Sequence, residues 1–270
     1  MKTKVYIILT SILMLLFLIS CDDDGSINFF TLEQDIEFGE EFHNQLMENP
    51  DEYPILSPSA YPEAYNHLAD IRNALLQSDD IRYGNEFSWD VYLIDNDTVL
   101  NAFCVPGGKM YFYTGIIHFL DNEAEFAGVM AHEMAHADRR HSTKNLTKVY
   151  GFSILLSALL GDDPSTMAQI AADLAMGLGS LAFSREHEYE ADEYAVRYTT
   201  DATGDYNYYP KGISAFFEKM EGHSYPPEFL STHPNPGNRL GNIDEFWKSI
   251  GSPDGELYEE RYLDFKNSLP

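Results

Sequence analysis

The chain is poor in cysteine and in basic residues. It has 17 Lys and Arg against 44 Asp and Glu, a formal net charge of −27 over 270 residues. This charge excludes a nucleic-acid-binding function and electrostatic docking to anionic lipid, because phosphates would repel the surface. Two cysteines are too few for a disulfide framework. The chain also lacks internal repeats, so its 44% hydrophobic residues predict one packed core.

The N-terminal residues have the pattern of an export signal. Lys2 and Lys4 precede an apolar run over 5–19, which is too short to be a convincing membrane span. Leu-Ile-Ser-Cys at 18–21 resembles a bacterial lipobox, which implies a lipid on Cys21 and leaves no partner for an intrachain disulfide. An ordinary signal peptide or an uncleaved anchor is the alternative. We expect three parts: a leader over 1–20, an acidic flexible leash over 21–29, and one domain over 30–270.

Several segments predict helices. They are 32–47, 61–76, 150–160, 165–177 and 256–266. The third and fourth of these form a predicted helical hairpin that is apolar, but each half is too short to cross a bilayer and two aspartates separate them. Core packing is therefore favoured, and a lid that faces the membrane or gates the substrate is the alternative. Together these segments predict a mostly helical α+β domain.

Three short apolar runs predict a small β-sheet. The first two, 89–95 and 98–104, are joined by a predicted turn at Asp95-Asn96-Asp97. The third covers 110–113, after a Pro-Gly-Gly sequence that permits positive φ. An extended peptide can pair with a free sheet edge through backbone hydrogen bonds, although strands that only cover the core are the alternative. On this basis the expected substrate contacts are Val105, Gly107, Gly108, Met110, Tyr111 and Tyr113.

The strongest chemical signal is H-E-x-x-H at 132–136. Residues four apart lie on one face of an α-helix, so His132 and His136 can bind one metal ion, and zinc is favoured. Glu133 is rotated about 100° from His132 and can take a proton from a metal-bound water. Asn122 as N-cap with Glu125 three residues later predicts a helix that runs to about residue 140. A chance match of five residues is the alternative.

A zinc site needs a third protein ligand. Two other zincin arrangements fail, because no acid lies about twenty residues after His136 and position 142 is Ser rather than His. An acidic helix-forming segment carries Glu188 and Asp192, four apart and therefore on one face. One of them can bind the metal while the other holds the far nitrogen of a ligating imidazole; Glu190 points elsewhere. The alternative is a solvated acidic helix face.

Three separated motifs together resemble a known family. They are the stretch Asn101–Gly115, the pattern at 132–136, and Ser184-Arg185 leading to Glu188 and Asp192. They resemble the CAAX-prenyl-protease and HtpX-type zinc metallopeptidases, and more narrowly their soluble lipoprotein branch in the bacterial envelope, from about residue 30 to about residue 250. The resemblance implies a zincin-like (gluzincin) fold with the small three-stranded sheet beside the H-E-x-x-H helix.

The resemblance also implies roles for individual residues. It implies one Zn²⁺ per chain on His132, His136 and Glu188, with Glu133 as catalytic base and Asp192 in a supporting or proton-donating role. Thr232-His233-Pro234 followed by Arg239 resembles a His-Pro…Arg feature near the metal in relatives. Two roles for His233 stay open, stabilising the transition state or occupying the open zinc position. The alternative is a turn histidine beside prolines.

These motifs predict a zinc metalloendopeptidase of the bacterial cell envelope, facing the periplasm or the cell surface. The resemblance implies unfolded or misassembled envelope polypeptides as partners, and the lipid on Cys21 as the only membrane contact. Two other classes stay open: a chaperone-like, zinc-binding lipoprotein with a latent or closed site, and a metal-dependent hydrolase of a non-peptide bond. Glu133 disfavours the first, because a structural zinc site does not need that carboxylate. The predicted edge strand favours peptides over the second.

Overall fold

The computed structural model describes residues 20–21, 27–149, 170–171, 182–202, 204–221, 229–234 and 237–270. Most of the predicted leader and helical hairpin lies outside these residues, so both stay predictions. The backbone of Cys21 lies in a two-residue strand, β1 (Ser20–Cys21), which pairs antiparallel with β2 (Ile27–Asn28). Asn28 is buried and donates a side-chain hydrogen bond to Thr143. Domain packing therefore already includes residue 28, inside the predicted leash.

Helices build most of the described chain. Their bounds are α1 Leu32–Met47, α2 Pro62–Leu75, α3 Thr114–Phe119, α4 Glu123–Asp138, α5 Arg185–Asp201, α6 Gly212–Glu221, α7 Phe229–Thr232, α8 Arg239–Ser249 and α9 Glu259–Asn267. Residues 141–149 are also helical. Within the described ranges, no helix combines the length and apolar character that a membrane crossing requires.

The predicted helix bounds agree closely with the observed ones. The helix over 32–47 is confirmed at both ends, because Thr31 and Gln34 form a capping box before its first turn. The helix over 61–76 is confirmed to within one residue at each end. Helix α9 begins later than predicted, because Tyr258 before it has left-handed backbone with φ of 55°.

The three predicted strands form one sheet in an unexpected order. The strands β3 (Val91–Ile94), β4 (Ala102–Cys104) and β5 (Met110–Tyr113) lie in the order β3-β5-β4. Strand β5 runs parallel to β3 and antiparallel to β4, so the predicted hairpin between the first two strands is wrong. Asn96 bonds to Thr114 and Gly115 at the start of α3, and the connection passes the end of β5 instead of reversing beside β3. Strand β5 takes the centre, and both β5 and the edge strand β4 are fully buried.

The central position of β5 corrects part of the predicted substrate surface. Met110, Tyr111 and Tyr113 have neighbouring strands on both sides, and their side chains are buried. They therefore cannot provide a free edge to an extended peptide. The predicted roles of these three residues in substrate binding do not fit the sheet.

The two predicted glycines serve packing instead. Gly107 and Gly108 have positive φ values of 82° and 88°, as the Pro-Gly-Gly sequence predicted. A Cβ on Gly107 would lie 2.9 Å from Ile36 Cα in α1, and one on Gly108 would lie 3.0 Å from the Phe87 side chain. Both glycines thus allow the turn to pack against its neighbours, and neither is among the residues that line the cavity beside Glu133.

Helix α4 lies at the centre of the molecule. Every residue from Glu123 to Asp138 is buried, and the helix packs against α5, α6 and β4. Glycines allow the approach to α6: a Cβ on Gly128 would lie 2.5 Å from Ile213 N, and one on Gly212 would lie 2.0 Å from Ala124 O. Because it is enclosed on all sides, α4 holds the H-E-x-x-H side chains in a fixed position.

Candidate metal centre

Helix α4 presents two histidines to one point. Its N-terminus is capped as predicted, since Asn122 Oδ1 accepts from the Glu125 N–H and Glu125 Oε1 accepts from the Asn122 amide. His132 and His136 project from one face a turn apart, with their Nε2 atoms 3.0 Å from each other. Both rings are fully buried. The helix thus supplies two imidazole nitrogens to a single small volume.

Two further side chains reach this point from other elements. Ser184 caps α5, and one turn into that helix Glu188 places Oε2 3.6 Å from His132 Nε2 and Oε1 3.6 Å from His136 Nε2. His233 follows α7, and its Nδ1 lies 3.4 Å from His132 Nε2 and 3.3 Å from Glu188 Oε1. One ligand atom from each of the four buried residues lies within 4.8 Å of the others. The structure therefore brings together the four residues that the sequence placed at or near the metal.

The donor atoms of this cluster fit a zinc ion. Tetrahedral zinc holds nitrogen and oxygen ligands at ~2.0–2.1 Å, which places them roughly 3.3 Å apart; the distances here are 3.0 to 3.6 Å. Both Glu188 oxygens are buried without an aligned hydrogen bond. Arg239 Nη2 lies 2.9 Å from Glu188 Oε2 as an ion-pair contact, and it donates an aligned hydrogen bond to Asp192. Buried carboxylate oxygens without donors are compensated best by a bound cation.

Glu133 lies beside the cluster without belonging to it. Neither of its buried oxygens accepts an aligned hydrogen bond within the described residues, and Oε1 is 3.5 Å from His233 Nε2. Burial raises the pKa of Glu133 above its usual value, and the charges of neighbouring histidines only partly offset this. A cavity lies on this side, with apolar lining residues that include Phe103, Val105 and Leu146. Glu133 can therefore exchange a proton with a molecule in the cavity.

Asp192 and Arg239 both contact the His132 ring. His132 Nδ1 lies 3.0 Å from Asp192 Oδ1. Arg239 donates to the same carboxylate from Nε at 2.5 Å and from Nη2 at 2.7 Å. An N–H on His132 Nδ1 leaves the lone pair on Nε2, which faces the cluster. Asp192 lies one turn after Glu188, as predicted, where it can orient an imidazole.

The charges of the cluster favour a cation. Burial lowers the pKa of His132, but hydrogen bonds to Asp192 and Glu188 raise it more, to about 9. Burial raises the pKa of Glu188, but the charges of His233 and Arg239 lower it more, well below the usual range. The negative charge that stabilises a proton on His132 also stabilises a metal ion at its Nε2. Metal binding therefore competes with protons at this site.

Two residues of the site were not predicted. His141 Nδ1 lies 2.9 Å from His136 Nδ1, and His141 Nε2 lies 3.2 Å from Glu190 Oε2. The expectation that Glu190 points elsewhere is therefore wrong. A histidine five positions after His136 would lie about 140° around a continuous helix, so periodicity places it on another face. Arg140 has a left-handed backbone, with φ of 57°, and this break returns His141 to the site.

The free sheet edge beside the site belongs to β4. The backbone bonds of Asn101 and Val105 run to the β5 side, so Ala102 and Cys104 turn their N–H and C=O groups to the opposite side, where the Ala102 N–H donates to Asn101 Oδ1. The Cys104 N–H is near enough to lower the pKa of Glu133. Of the predicted substrate contacts, Val105 lines the cavity, and the edge itself comes from the strand before it.

Comparisons with known proteins agree with this geometry. The sequence model of "Peptidase family M48" matches residues 65–246. The chain is 33% identical over 154 residues to "Mitochondrial metalloendopeptidase OMA1" of Arabidopsis thaliana, covering 56% of this chain and 30% of that protein. It is 31% identical over 160 residues to "Beta-barrel assembly-enhancing protease" of Yersinia pestis, covering 56% and 33%. It is 27% identical over 233 residues to "Metalloendopeptidase OMA1, mitochondrial" of Bos taurus, covering 80% and 42%. The chain spans less than half the length of each of these relatives.

Proposed function

The chain belongs to peptidase family M48, and we propose that it is a zinc-dependent endopeptidase of the bacterial cell envelope. The observation that carries this proposal is the buried group of His132, His136, Glu188 and His233 with the unbonded Glu133 carboxylate next to it. Zinc is the cofactor that this family uses, and the donor set suits it. We assign His132, His136 and Glu188 as its ligands.

The chain's own groups can perform the proton transfers of peptide hydrolysis. Bound zinc supplies the Lewis acid of the reaction. Glu133 accepts a proton from the attacking water and then donates it to the leaving amine nitrogen, and its raised pKa suits both steps. Asp192 keeps the His132 hydrogen on Nδ1. The outward carbonyl groups of Ala102 and Cys104 can align an extended peptide along β4, next to Glu133.

Metal removal tests this proposal directly. Purified protein should digest an unfolded polypeptide such as casein, lose this activity with a zinc chelator, and regain it when one equivalent of zinc is added. The matched addition of magnesium should not restore it, since a site of imidazole and carboxylate donors favours zinc. Undiminished digestion in the chelated protein would contradict the proposal. Cleavage of a small ester without any polypeptide cleavage would favour a non-peptide hydrolase.

We further propose misfolded or misassembled envelope polypeptides as substrates and attachment to the membrane through a lipid on Cys21. The lipobox-like leader and the likeness to the soluble lipoprotein branch support this proposal. The name of the relatives called "Beta-barrel assembly-enhancing protease" supports it as well. A clickable fatty acid fed to expressing bacteria should label the wild-type protein. The Cys21→Ser variant should stay unlabelled and leave the membrane fraction, and labelling of both proteins would contradict the anchor.

One observation favours a latent form of the same site. His233 Nδ1 lies as close to His132 Nε2 and Glu188 Oε1 as a fourth zinc ligand would, and four protein ligands leave no open position. His233→Ala should then raise casein digestion above that of the wild type. A fall in digestion at unchanged zinc content would instead assign His233 to the transition state.

A further inference from the structure

The two histidines of α4 have different partners at their far ring nitrogens. His132 Nδ1 faces a carboxylate, Asp192. His136 Nδ1 instead faces another imidazole, His141 Nδ1, at 2.9 Å. His141 Nε2 in turn lies 3.2 Å from Glu190 Oε2. The contacts form a chain from Glu190 through His141 to His136, which ends at the cluster.

A bond between two ring nitrogens permits only one hydrogen between them. For His136 to offer a lone pair at Nε2, its hydrogen must sit on Nδ1, and His141 Nδ1 must then accept. A neutral His141 that accepts at Nδ1 carries its hydrogen on Nε2, and an ionised carboxylate at Glu190 can only accept it. The opposite direction would place the His136 hydrogen on Nε2, where it would block the metal.

We propose that Glu190 and His141 are positioning residues for zinc, which fix the tautomer of His136 so that its Nε2 lone pair points into the cluster. This inference rests on the proposed zinc site. It gives the second histidine of the pattern an orienting pair of its own, separate from Asp192 and Arg239, which act on His132. Neither residue touches the cluster directly.

The backbone of Arg140 and the stacked ring of His187 fix the position of His141. Arg140 has a left-handed backbone, and its guanidinium is held by Asp35 Oδ2 at 2.6 Å and by the Phe30 carbonyl at 2.5 Å. This break between α4 and the helical residues 141–149 brings His141 back over His136. The His187 ring stacks on His141 at a centroid distance of 4.3 Å and an interplanar angle of 7°. The His141 ring therefore has a fixed plane, which a directional hydrogen bond requires.

Substitutions at position 141 separate orientation from mere packing. His141→Asn keeps an acceptor, Oδ1, near the place of the imidazole Nδ1, whereas His141→Leu has a similar size and no acceptor. Zinc affinity, measured by competition with a chromophoric chelator, should fall roughly 10–100-fold in the leucine variant and stay near the wild-type value in the asparagine variant. The cobalt-loaded proteins give a second readout, since the visible absorption bands of cobalt should change only in the leucine variant. The melting temperature of each metal-free protein reports folding.

Glu190 provides a second pair of variants at a position that is less buried, with a side chain 28% exposed. Glu190→Gln keeps an oxygen acceptor for the His141 hydrogen, and Glu190→Leu removes it. Affinity should fall about 10-fold in the leucine variant, at the lower end of the range for outer partners of a ligand, and little in the glutamine variant. This pair decides the question if His141→Leu does not fold.

Each outcome bears on a separate claim. Equal affinity for zinc in the wild type and in all four variants would overturn the positioning role and leave the proposed function standing. Equal losses in the asparagine and leucine variants, with equal falls in metal-free melting temperature, would reduce His141 to a packing residue and also overturn it. A wild-type protein that binds no zinc would overturn the proposed function and this inference together.

Discussion

Two buried glutamates on α4, ten residues apart, differ in their hydrogen-bond partners. Glu123 accepts hydrogen bonds from Tyr208 Oη at 2.8 Å and from Arg261 Nε at 2.7 Å, and His67 Nε2 lies 3.0 Å away. Glu133 accepts no aligned hydrogen bond within the described part of the chain. Both side chains are almost completely shielded from solvent. The first carboxylate is fully partnered and holds the fold, while the second is left available for chemistry.

The pKa shifts of the two glutamates follow from this difference. Burial raises the pKa of Glu123, but hydrogen bonds from His67 and Arg261 lower it more, so it stays charged. The pKa of Glu133 is raised, because burial outweighs the charges around it. A carboxylate without partners is costly to bury, and such groups concentrate at functional sites. The comparison indicates which end of α4 stabilises the protein and which end is available for the proposed reaction.

The largest expected effect comes from Glu133→Gln. This variant should keep zinc, because Glu133 is outside the ligand cluster, and should lose at least about 100-fold of its activity on casein, because the amide cannot accept the proton from water. Glu123→Gln serves as the control at the other end of α4 and should retain activity under conditions in which it is folded. A wild-type cleavage rate in Glu133→Gln would contradict the proposed difference between Glu133 and Glu123.

His136→Ala should lose the metal rather than only the reaction. Removal of one of three protein ligands leaves two, which is too few for a stable zinc site. Atomic absorption on the purified variant should show zinc well below one equivalent, and His118→Ala, at a half-exposed histidine of α3, should stay at the wild-type level. Full zinc content in His136→Ala would count against the ligand assignment.

The Arg261→Leu variant tests whether the other end of α4 stabilises the protein. This change leaves the Glu123 carboxylate buried without its main cationic partner, and should cost about 2 kcal/mol of unfolding free energy, below the range for fully buried pairs because Arg261 is partly exposed. Urea unfolding measures this loss. Lys248→Leu, which removes an exposed ion pair with Asp244, should leave the free energy of unfolding nearly unchanged, because solvent screens exposed pairs. Equal losses in the two variants would mean that the Glu123 cluster is not a stabilising centre.

The smallest expected effect is a pH dependence at Glu123. Its pKa is lower in the folded than in the unfolded protein, so its contribution is complete above the unfolded pKa, near 4.5, and is lost as the pH falls through the lower folded value. The difference in stability between the wild type and Glu123→Gln should therefore shrink as the pH is lowered below about 4.5. A difference that grows on acidification would have the wrong sign.

Local signals in the sequence were reliable where one element determines the outcome. The bounds of α1 follow from the capping residues Thr31 and Gln34, and the position of Glu188 one turn before Asp192 follows from helix geometry alone. The sequence could therefore predict the helical positions of the cluster residues on α4 and α5. Each of these two helices presents one regular face to the metal centre.

The sequence did not predict contacts between segments that are far apart along the chain. The turn at Asp95–Asp97 was a strong local signal for a hairpin, but the order of the strands depends on pairing between distant segments, such as that of β3 with β5. Likewise, the pair of His141 and Glu190 exists only because Arg140 interrupts the helix and α5 passes nearby. A residue with positive φ that is neither glycine nor asparagine is uncommon, and no pattern in the sequence announced this one.

The close crossing of Gly128 and Gly212 limits how the metal helix could be transplanted into another scaffold. A designer who copies only residues 122–141 would carry over His132 and His136 but neither Glu188 nor the backbone that α4 touches. Any host helix with an alanine at the crossing would displace the graft by more than an ångström, since a Cβ there would lie 2.0 Å from Ala124 O. The smallest portable unit therefore includes α4, the part of α5 that carries Glu188, and the start of α6 with Gly212.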